Sequence, residues 1–502
     1  MLDKEITKNS IANFISRIWA IVSVYMFIPL YIANLGDEAY GLVSFFSTLQ
    51  ATMNLLGLGL SSTLRRELAT GENDEKNRLY KYKLLKSTEI VYGAIAIVVI
   101  LIIFFGSHYL SKKWLNLEAL NPDTVSITIT LMGVSIGIQL LTNLYHGCLL
   151  GLNYQLTANV YYLLWSSLKC IGSALIIIYI APSLILFYSF HIVCDLLYFI
   201  IIRLSIIRRI KEKNKMIWSF KDLVNLKLIW KYTLGLFLIS IISVVTRQLD
   251  KAIISKELSL IELGAYNLAI TLGQLSTIVT SALSITLFTK FTHLFSLKKN
   301  EELNANFLKY NRFLALVILC LGSFLSVYAK DLMFFWTNSE SITNIIGNTS
   351  IMIILGTTAL SLQELPYSYV LAQGDTKINN ALGIVSLPFL IICPYFAICK
   401  WGLLGAGVSY FSLMTIQTII YYMIIFKKYI KVNSVKWMFL NLFVPIAISL
   451  TIAVVGKRAI DVKTDILWQK IVFAVLSGAV TLLLMLVLEN HRLVKNVLLK
   501  KL

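Results

Sequence analysis

The stretch YTLGLFLISIISVVTRQLDKAIIS, Tyr232–Ser255, decides the fold class of this chain. It is apolar over a length that crosses a bilayer, yet Arg247, Asp250 and Lys251 lie inside it. A charge near the middle of a membrane helix costs roughly 2.5–3.5 kcal/mol by insertion scales, so such charges pair with an opposite charge or line a wet cavity. At helical spacing Arg247 and Lys251 share one stripe, with Asp250 beside it. The stretch therefore predicts a membrane helix with a functional polar face.

The composition of the whole chain indicates a membrane protein. Of its 502 residues, 57% are hydrophobic and only 14% are charged. A soluble protein carries about a quarter charged residues. The net charge of +19 arises mainly in short segments between apolar runs, which is where membrane topology is encoded. The positive charge therefore predicts an orientation in the bilayer and no nucleic-acid partner.

Fourteen apolar runs are long enough to cross a bilayer, which predicts an all-α, polytopic membrane protein. The segments on one side of these runs hold 32 Lys and Arg, against 9 on the other side, and this contrast predicts that both termini are cytoplasmic. The predicted spans are 11–33, 40–63, 85–107, 124–149, 157–180, 183–204, 232–254, 262–289, 311–330, 344–372, 377–399, 402–426, 436–456 and 466–488.

A long basic segment separates the first six spans from the next six, and the last two spans stand outside both sets. A faint repeat supports the division, because an Ala-Tyr pair precedes a glutamine in the next span in both halves, before Gln50 and before Gln274. The predicted parts are an N-lobe over 1–207, a cytoplasmic linker over 208–231, a C-lobe over 232–430, and a terminal pair of spans with a cytoplasmic tail over 431–502.

Several short motifs in both halves resemble those of one known family. The resemblance is carried by the runs YIANLGDEAYGL (31–42), LGLGL (56–60), SSTLRRELA (61–69), RQLDK (247–251), LGAY (263–266) and LAQG (371–374). In these motifs, in the number of spans and in the division into two lobes, the chain resembles the Wzx-type polysaccharide-repeat flippases of the multidrug/oligosaccharidyl-lipid/polysaccharide exporter superfamily.

That resemblance implies a transport function without a catalytic residue, cofactor or metal. The expected substrate is an undecaprenyl-diphosphate-linked oligosaccharide repeat unit, as in O-antigen synthesis, moved from the inner to the outer leaflet of a bacterial cytoplasmic (inner) membrane by alternating access. The expected partners are this lipid-linked glycan and the bilayer, with a polysaccharide polymerase and chain-length proteins as further candidates.

Four cations inside spans are candidates for binding the diphosphate: Arg17, Lys169, Arg247 and Lys251. Arg grips phosphate oxygens with two donors, whereas Lys acts as a mobile point charge. We expect the four to line one path at different depths. The alternatives are that Arg17 and Lys251 extend to the membrane surface, and that Arg247 pairs with Asp250.

Intramembrane acids are candidates for ion coupling. Asp195 shares a helical face with His191, and Glu364 precedes Pro366 by two residues. We expect Asp195 or Glu364 to couple transport to a proton or sodium gradient, with Asp250 as a third candidate. The alternative is a structural partner for one of the cations. His191 and His146 are expected to be hydrogen-bonded interior residues, because no clustered ligand spacing indicates a metal site.

Amide and hydroxyl side chains on three spans are candidates for the walls that contact sugars. Some of them are expected only to bond one helix to another. The candidates are Ser47, Gln50 and Asn54, then Gln139, Asn143 and His146, and then Asn267, Thr271, Gln274, Ser281 and Ser284.

Two other function classes compete with the flippase. A multidrug or small-molecule exporter of the same superfamily would usually have twelve spans, and a cavity with four cations suits an anionic substrate better. A membrane glycosyltransferase or ligase would usually carry a large outer loop, and every predicted outer loop here is short. No phosphate-cradling Gly-x-x-x-x-Gly-Lys motif is present, so hydrolysis of ATP by this chain is not expected.

Overall fold

A computed structural model describes residues 16, 19, 22–23, 25–69, 75–210, 219, 222, 244, 247–375, 377–464 and 466–499. Every regular element among these residues is a helix, which confirms the predicted all-α fold class. The helices are α1 (Tyr25–Leu35), α2 (Asp37–Ala69), α3 (Glu75–Tyr109), α4 (Pro122–Gly151), α5 (Gln155–Tyr179), α6 (Leu184–Ile210), α7 (247–257), α8 (Leu260–Ser296), α9 (Asn300–Val327), α10 (Ala329–Thr337), α11 (Glu340–Ile346), α12 (Thr349–Ser361), α13 (Glu364–Ala372), α14 (Lys377–Ile425), α15 (Ser434–Met438), α16 (Val444–Lys463) and α17 (Leu467–Leu499).

Many of these helices are long and apolar enough to cross a membrane, so the chain is a multi-pass membrane protein. Within the described residues nine helical stretches meet that condition, or ten if the bent pair formed by α11 and α12–α13 counts as one span. One of the nine, Lys377–Ile430, covers two predicted spans, since the chain turns at Gly402 with φ of 56°. The predicted count of fourteen stays a prediction, because much of the predicted spans 11–33 and 232–254 lies outside the described residues.

The chain forms two compact units, Met1–Gly264 (unit 1) and Ala265–Leu502 (unit 2). The predicted lobe boundaries at 207 and 430 stay predictions, and most of the predicted linker 208–231 lies outside the part that the structure describes.

Helix α4 is the central helix of unit 1, where it packs against α2, α3 and α6. Gly133 and Gly137 are four residues apart and therefore face the same neighbour, α3. A Cβ atom at Gly137 would lie 2.6 Å from Cδ1 of Ile100, and one at Gly133 would lie 2.7 Å from Cγ2 of Ile103. Small residues at this spacing let two membrane helices approach closely, so van der Waals contact holds α3 against α4.

Helix α12 has the corresponding place in unit 2, between α9 and α14. It is followed by a break before α13, at residues 362–363. Pro366 has no N–H to donate to the carbonyl of Leu362, and that carbonyl instead accepts a hydrogen bond from the hydroxyl of Tyr422 at 3.1 Å. Pro366 therefore lies just beyond a break that a buried tyrosine of α14 stabilises.

The last two long helices, α16 and α17, pack on α9 in unit 2. Lys457 of α16 reaches across to α10, where its Nζ lies 2.6 Å from Oδ2 of Asp331. The same Nζ donates to the carbonyl of Val327 at 3.0 Å, at the end of α9. One end of α16 is thus fixed to the connection between α9 and α10.

Candidate functional site

Asp195 of α6 lies at the centre of a buried polar cluster in unit 1. Its side chain is completely buried, and Nζ of Lys169 from α5 lies 3.1 Å from Oδ1 and 3.3 Å from Oδ2. Two side chains of α4 donate to Oδ2, Ser135 through its hydroxyl at 2.5 Å and Gln139 through Nε2 at 2.9 Å. Nε1 of Trp165 donates to Oδ1 at 3.0 Å. The carboxylate therefore has four donors, one of them charged, which compensates its burial.

The cluster extends to a fourth helix through Gln139. Nε2 of Gln50 on α2 donates to Oε1 of Gln139. A continuous hydrogen-bonded chain thus connects α2, α4, α6 and α5. We call this set the polar wall: Gln50, Ser135, Gln139, Trp165, Lys169 and Asp195.

Helical spacing explains how the sequence assembles the polar wall. Ser135 and Gln139 are four residues apart on α4, and Trp165 and Lys169 are four residues apart on α5, so each pair shares one face. Nζ of Lys169 lies 5.1 Å from the centroid of the Trp165 ring, a cation–π distance. α5 and α6 are joined by the short segment 180–183, which brings Lys169 next to Asp195.

Polar side chains next to the polar wall are exposed. Asn143, one turn beyond Gln139, is exposed on α4, although most residues of that helix are buried. Ser47 on α2 is also exposed, one turn before Gln50. An exposed amide in a membrane span faces a water-filled cavity more favourably than lipid. This arrangement offers hydrogen-bonding groups to a polar ligand beside a neutralised lysine.

An aromatic group continues the wall. The rings of Trp165 and Tyr198 stack with centroids 5.1 Å apart and planes at 19°. Nδ1 of His146 lies 3.2 Å from the hydroxyl of Tyr198, which confirms the expected hydrogen-bonded interior histidine. His191 is buried as expected, and among the described residues neither of its ring nitrogens has a hydrogen-bond partner, so its expected hydrogen bond stays a prediction.

The remaining predicted site residues lie on other elements. Arg247 is exposed at the start of the described part of α7, and Lys251 is half-buried. Asp250 is half-buried too, and its Oδ1 accepts the backbone N–H of Lys251 at 2.8 Å. Gln274 is exposed on α8, and Glu364 is half-buried in the first turn of α13. Arg17, together with the side chain of Asn54, lies outside the described residues.

The structure thus unites three of the ten predicted site residues, Gln50, Lys169 and Asp195, and puts Asn143 one turn away. Asp195 forms an ion pair with Lys169, as the alternative of a structural partner expects, and its role in ion coupling stays a prediction. Sequence reasoning missed Ser135 and Trp165. The signal that could have found them is their spacing, four residues before Gln139 and four before Lys169.

Comparison with known proteins assigns the family. A family model described as "Polysaccharide biosynthesis protein" matches residues 35–340, more than half of the chain. The chain belongs to this family. The match covers the polar wall and α7, and it confirms the resemblance noted in the sequence. No curated protein matches the sequence.

Solved structures of transporters share the fold. The lipid II flippase MurJ in its inward closed conformation matches with a TM-score of 0.74 at 17% identity, covering 97% of this chain and 99% of MurJ. An inward-facing multidrug resistance MATE transporter of the MOP superfamily matches with a TM-score of 0.63 at 13% identity, covering 84% of this chain and 96% of the other. A MOP superfamily transporter from Pyrococcus furiosus matches at 0.51 and 14% identity, covering 84% and 94%. The chain therefore has the fold of MurJ and the MATE transporters.

Proposed function

We propose that this protein is a flippase for an undecaprenyl-diphosphate-linked oligosaccharide repeat unit. It moves this lipid from the inner to the outer leaflet of a bacterial cytoplasmic membrane by alternating access, with both termini in the cytoplasm. The observation that carries the proposal is the polar wall with its buried lysine, together with the exposed amide of Asn143 one turn beyond Gln139 on α4. Membership in the polysaccharide biosynthesis family and the MurJ-like fold support it.

The pairing of Lys169 with Asp195 suggests how substrate and ion are coupled. A diphosphate that reaches Lys169 competes with Asp195 for the same ammonium group. When the lysine turns to the phosphate, the carboxylate loses the one charged donor that it has among the described residues, and it takes up a proton or a sodium ion in exchange. Arg17, Arg247 and Lys251 contact the diphosphate at other depths of the path, and Asp250 and Glu364 are further coupling candidates. The amides of Gln50, Asn143 and Gln274 contact the sugars.

Deletion in the native host tests this function. The lipid-linked oligosaccharide is expected to accumulate on the cytoplasmic leaflet, and the unmodified gene is expected to restore export. Complementation by Lys169→Gln, Gln50→Ala and Asn143→Ala is expected to be reduced. Gln469→Ala, an exposed amide on α17, is the matched control and is expected to export normally. Normal export in the deletion strain contradicts the proposal.

The second candidate is an ion-coupled exporter of drugs or other small molecules, and the fold shared with MATE transporters favours it. If the protein is such an exporter, the deletion strain is expected to become sensitive to cationic compounds, and its lipid-linked oligosaccharide is expected to stay normally distributed between the leaflets. Measuring both properties in one strain separates the two candidates. The loss of glycan export without drug sensitivity supports the flippase.

A further inference from the structure

A single buried carboxylate holds the segment between α3 and α4, residues 110–121, which we call the strap. Glu38, in the first turn of α2, is only 7% exposed. Its Oε1 accepts the backbone N–H of Glu118 at 2.7 Å, and its Oε2 accepts those of Ala119 at 2.8 Å and Leu120 at 3.0 Å. Three convergent N–H groups compensate the buried charge and fix this end of the strap to α2.

The other end of the strap is bonded to the junction of α7 and α8. Nε1 of Trp114 donates to the hydroxyl of Ser255 at 3.0 Å. Nδ2 of Asn116 donates to the carbonyl of Lys256 at 3.0 Å, and Asn116 and Ser259 form a backbone bridge. Through the strap, α2 is therefore connected to the residues at which α7 ends.

The position and the type of these bonds indicate what the strap does. The junction directly precedes Gly264, where unit 1 ends and the chain continues into unit 2. Gly41 of α2 leaves no room for a Cβ beside the carbonyl of Leu260, so α2 touches the first residue of α8 directly. Asn116 is exposed and the strap is joined to the junction by hydrogen bonds, which is typical of regions that open locally.

We propose that the strap is a latch on the outer face, held by Glu38, which ties the α7–α8 junction to α2 and opens once in each export cycle. The outer position follows from the predicted orientation, and the export cycle rests on the proposed function. Glu38 is a positioning residue, because it acts through the strap and does not touch the substrate.

Disulfide trapping in the purified full-length chain, reconstituted in lipid nanodiscs, tests the role of Glu38. In an Asn116→Cys, Ser259→Cys double variant, mass spectrometry of the linked peptides measures how much disulfide forms. Adding Glu38→Gln is expected to lower the yield several-fold, because the amide is a weaker acceptor. Adding Glu301→Gln, which changes an exposed carboxylate in the first turn of α9 in the same way, is expected to change nothing. Equal disulfide yields with and without the Glu38→Gln substitution overturn the proposal.

A second variant keeps the test independent of how Glu38→Gln folds. Trp114→Phe removes the indole N–H that bonds Ser255 but keeps an aromatic ring, and it is expected to speed amide hydrogen exchange at residues 255–259. Unchanged exchange there contradicts the latch.

Locking tests whether the strap must open. Oxidising the double variant in cells is expected to stop glycan export, and reduction is expected to restore it. Full export by a fully oxidised protein overturns the proposal. If even the unmodified chain moves no polyprenyl-diphosphate glycan, the proposed function fails, whereas the trapping yields still decide whether Glu38 holds the strap.

Discussion

At the scale of single residues, the ion pair of Lys169 and Asp195 explains how two charges persist inside an apolar bundle. Each group alone would cost several kcal/mol in the interior of unit 1. Together they form a neutral unit, and the side chains of Ser135, Gln139 and Trp165 supply further hydrogen bonds to the carboxylate. The pair is therefore stable only as long as both members are present.

Removing one member of the pair is expected to destabilise the protein. Asp195→Asn leaves the ammonium group of Lys169 without its counter-charge at a buried site, which costs about 3–5 kcal/mol. The double variant Lys169→Met, Asp195→Leu leaves no unpaired charge, and it is expected to recover most of the loss. Thermal unfolding of the purified variants in detergent measures this difference. Single variants that unfold at the same temperature as the unmodified protein would contradict the role of the pair.

Asp375, in the connection between α13 and α14, makes stability depend on pH. Hydrogen bonds from Lys428 at 2.5 Å, from the Tyr429 hydroxyl at 2.6 Å and from the backbone N–H of Lys377 at 2.9 Å hold the pKa of its carboxyl well below the ordinary 3.8. A carboxyl group whose pKa is lower in the folded than in the unfolded protein stabilises the fold. This stabilisation is fully present above pH 3.8 and is lost as the pH falls through the pKa of the folded protein.

Asp375→Asn is therefore expected to lower the unfolding temperature near neutral pH. The difference in unfolding temperature between this variant and the unmodified protein is expected to become smaller as the pH falls below about 3.8. Unfolding scans at a series of pH values check this. A gap that stays constant down to the most acidic point would show that the carboxylate charge is not what matters.

Lys169 and Asp195 could be predicted as site residues because charges are rare within apolar runs. The pairing of Lys169 with Asp195 could not be predicted, because sequence spacing determines which residues share a face of one helix. It does not determine how α5 is rotated relative to α6. Ser135 and Trp165 could not be predicted for the same reason. In addition, their side chains are common in membrane helices and carry no formal charge.

At the scale of elements, the close contact of α3 and α4 depends on residues without side chains. Gly137→Leu introduces four carbons where one methyl group would already overlap Ile100. Overpacking of this kind typically costs about 1–3 kcal/mol. We expect a lower unfolding temperature and a reduced amount of protein in the membrane.

Gly93 of α3 is the matched control for that variant. A Cβ at Gly93 would meet no atom within 4 Å, so Gly93→Leu is expected to be tolerated. Equal effects of the two substitutions would mean that helix propensity, and not the α3–α4 contact, determines the result.

The course of the helices could be predicted only in part. The apolar runs gave α4, α5 and the divided α14 within two residues of the observed ends. By contrast, α3 begins ten residues before its predicted span, and α6 ends six residues after its predicted span. The run 344–372 was predicted as one span, and it contains the end of α11 followed by α12 and α13, with a bend of 68° between α11 and the rest. Hydropathy does not detect this bend, nor the break between α12 and α13, where the buried Tyr422 hydroxyl bonds the carbonyl of Leu362.

At the scale of the whole molecule, polar contacts of Lys457 add to the apolar packing of α16 and α17 on α9. Lys457→Ala removes the bonds to Asp331 and Val327 and is expected to speed hydrogen exchange in the second half of α16. Lys463→Ala, an exposed lysine six residues later, is the matched control and is expected to leave exchange unchanged. Unchanged exchange in both variants would show that apolar packing alone holds the pair.

The fold class could be predicted from the whole chain, because hydropathy is averaged over hundreds of residues, and the family could be predicted from the resemblance of its short motifs. The identity of the sugar, the identity of the coupling ion and the order of the transport steps depend on distances of a few ångströms around residues such as Asn143 and Lys169. Those distances arise from packing between helices, which composition does not encode.

The position of the buried ion pair also has a consequence for biogenesis. α5 emerges from the ribosome before α6, so Lys169 reaches the translocon 26 residues ahead of the carboxylate that neutralises it. Released alone into lipid, α5 would carry an unopposed ammonium group, whereas the α5–α6 hairpin carries none. The two segments are thus suited to enter the bilayer together, as one neutral insertion unit.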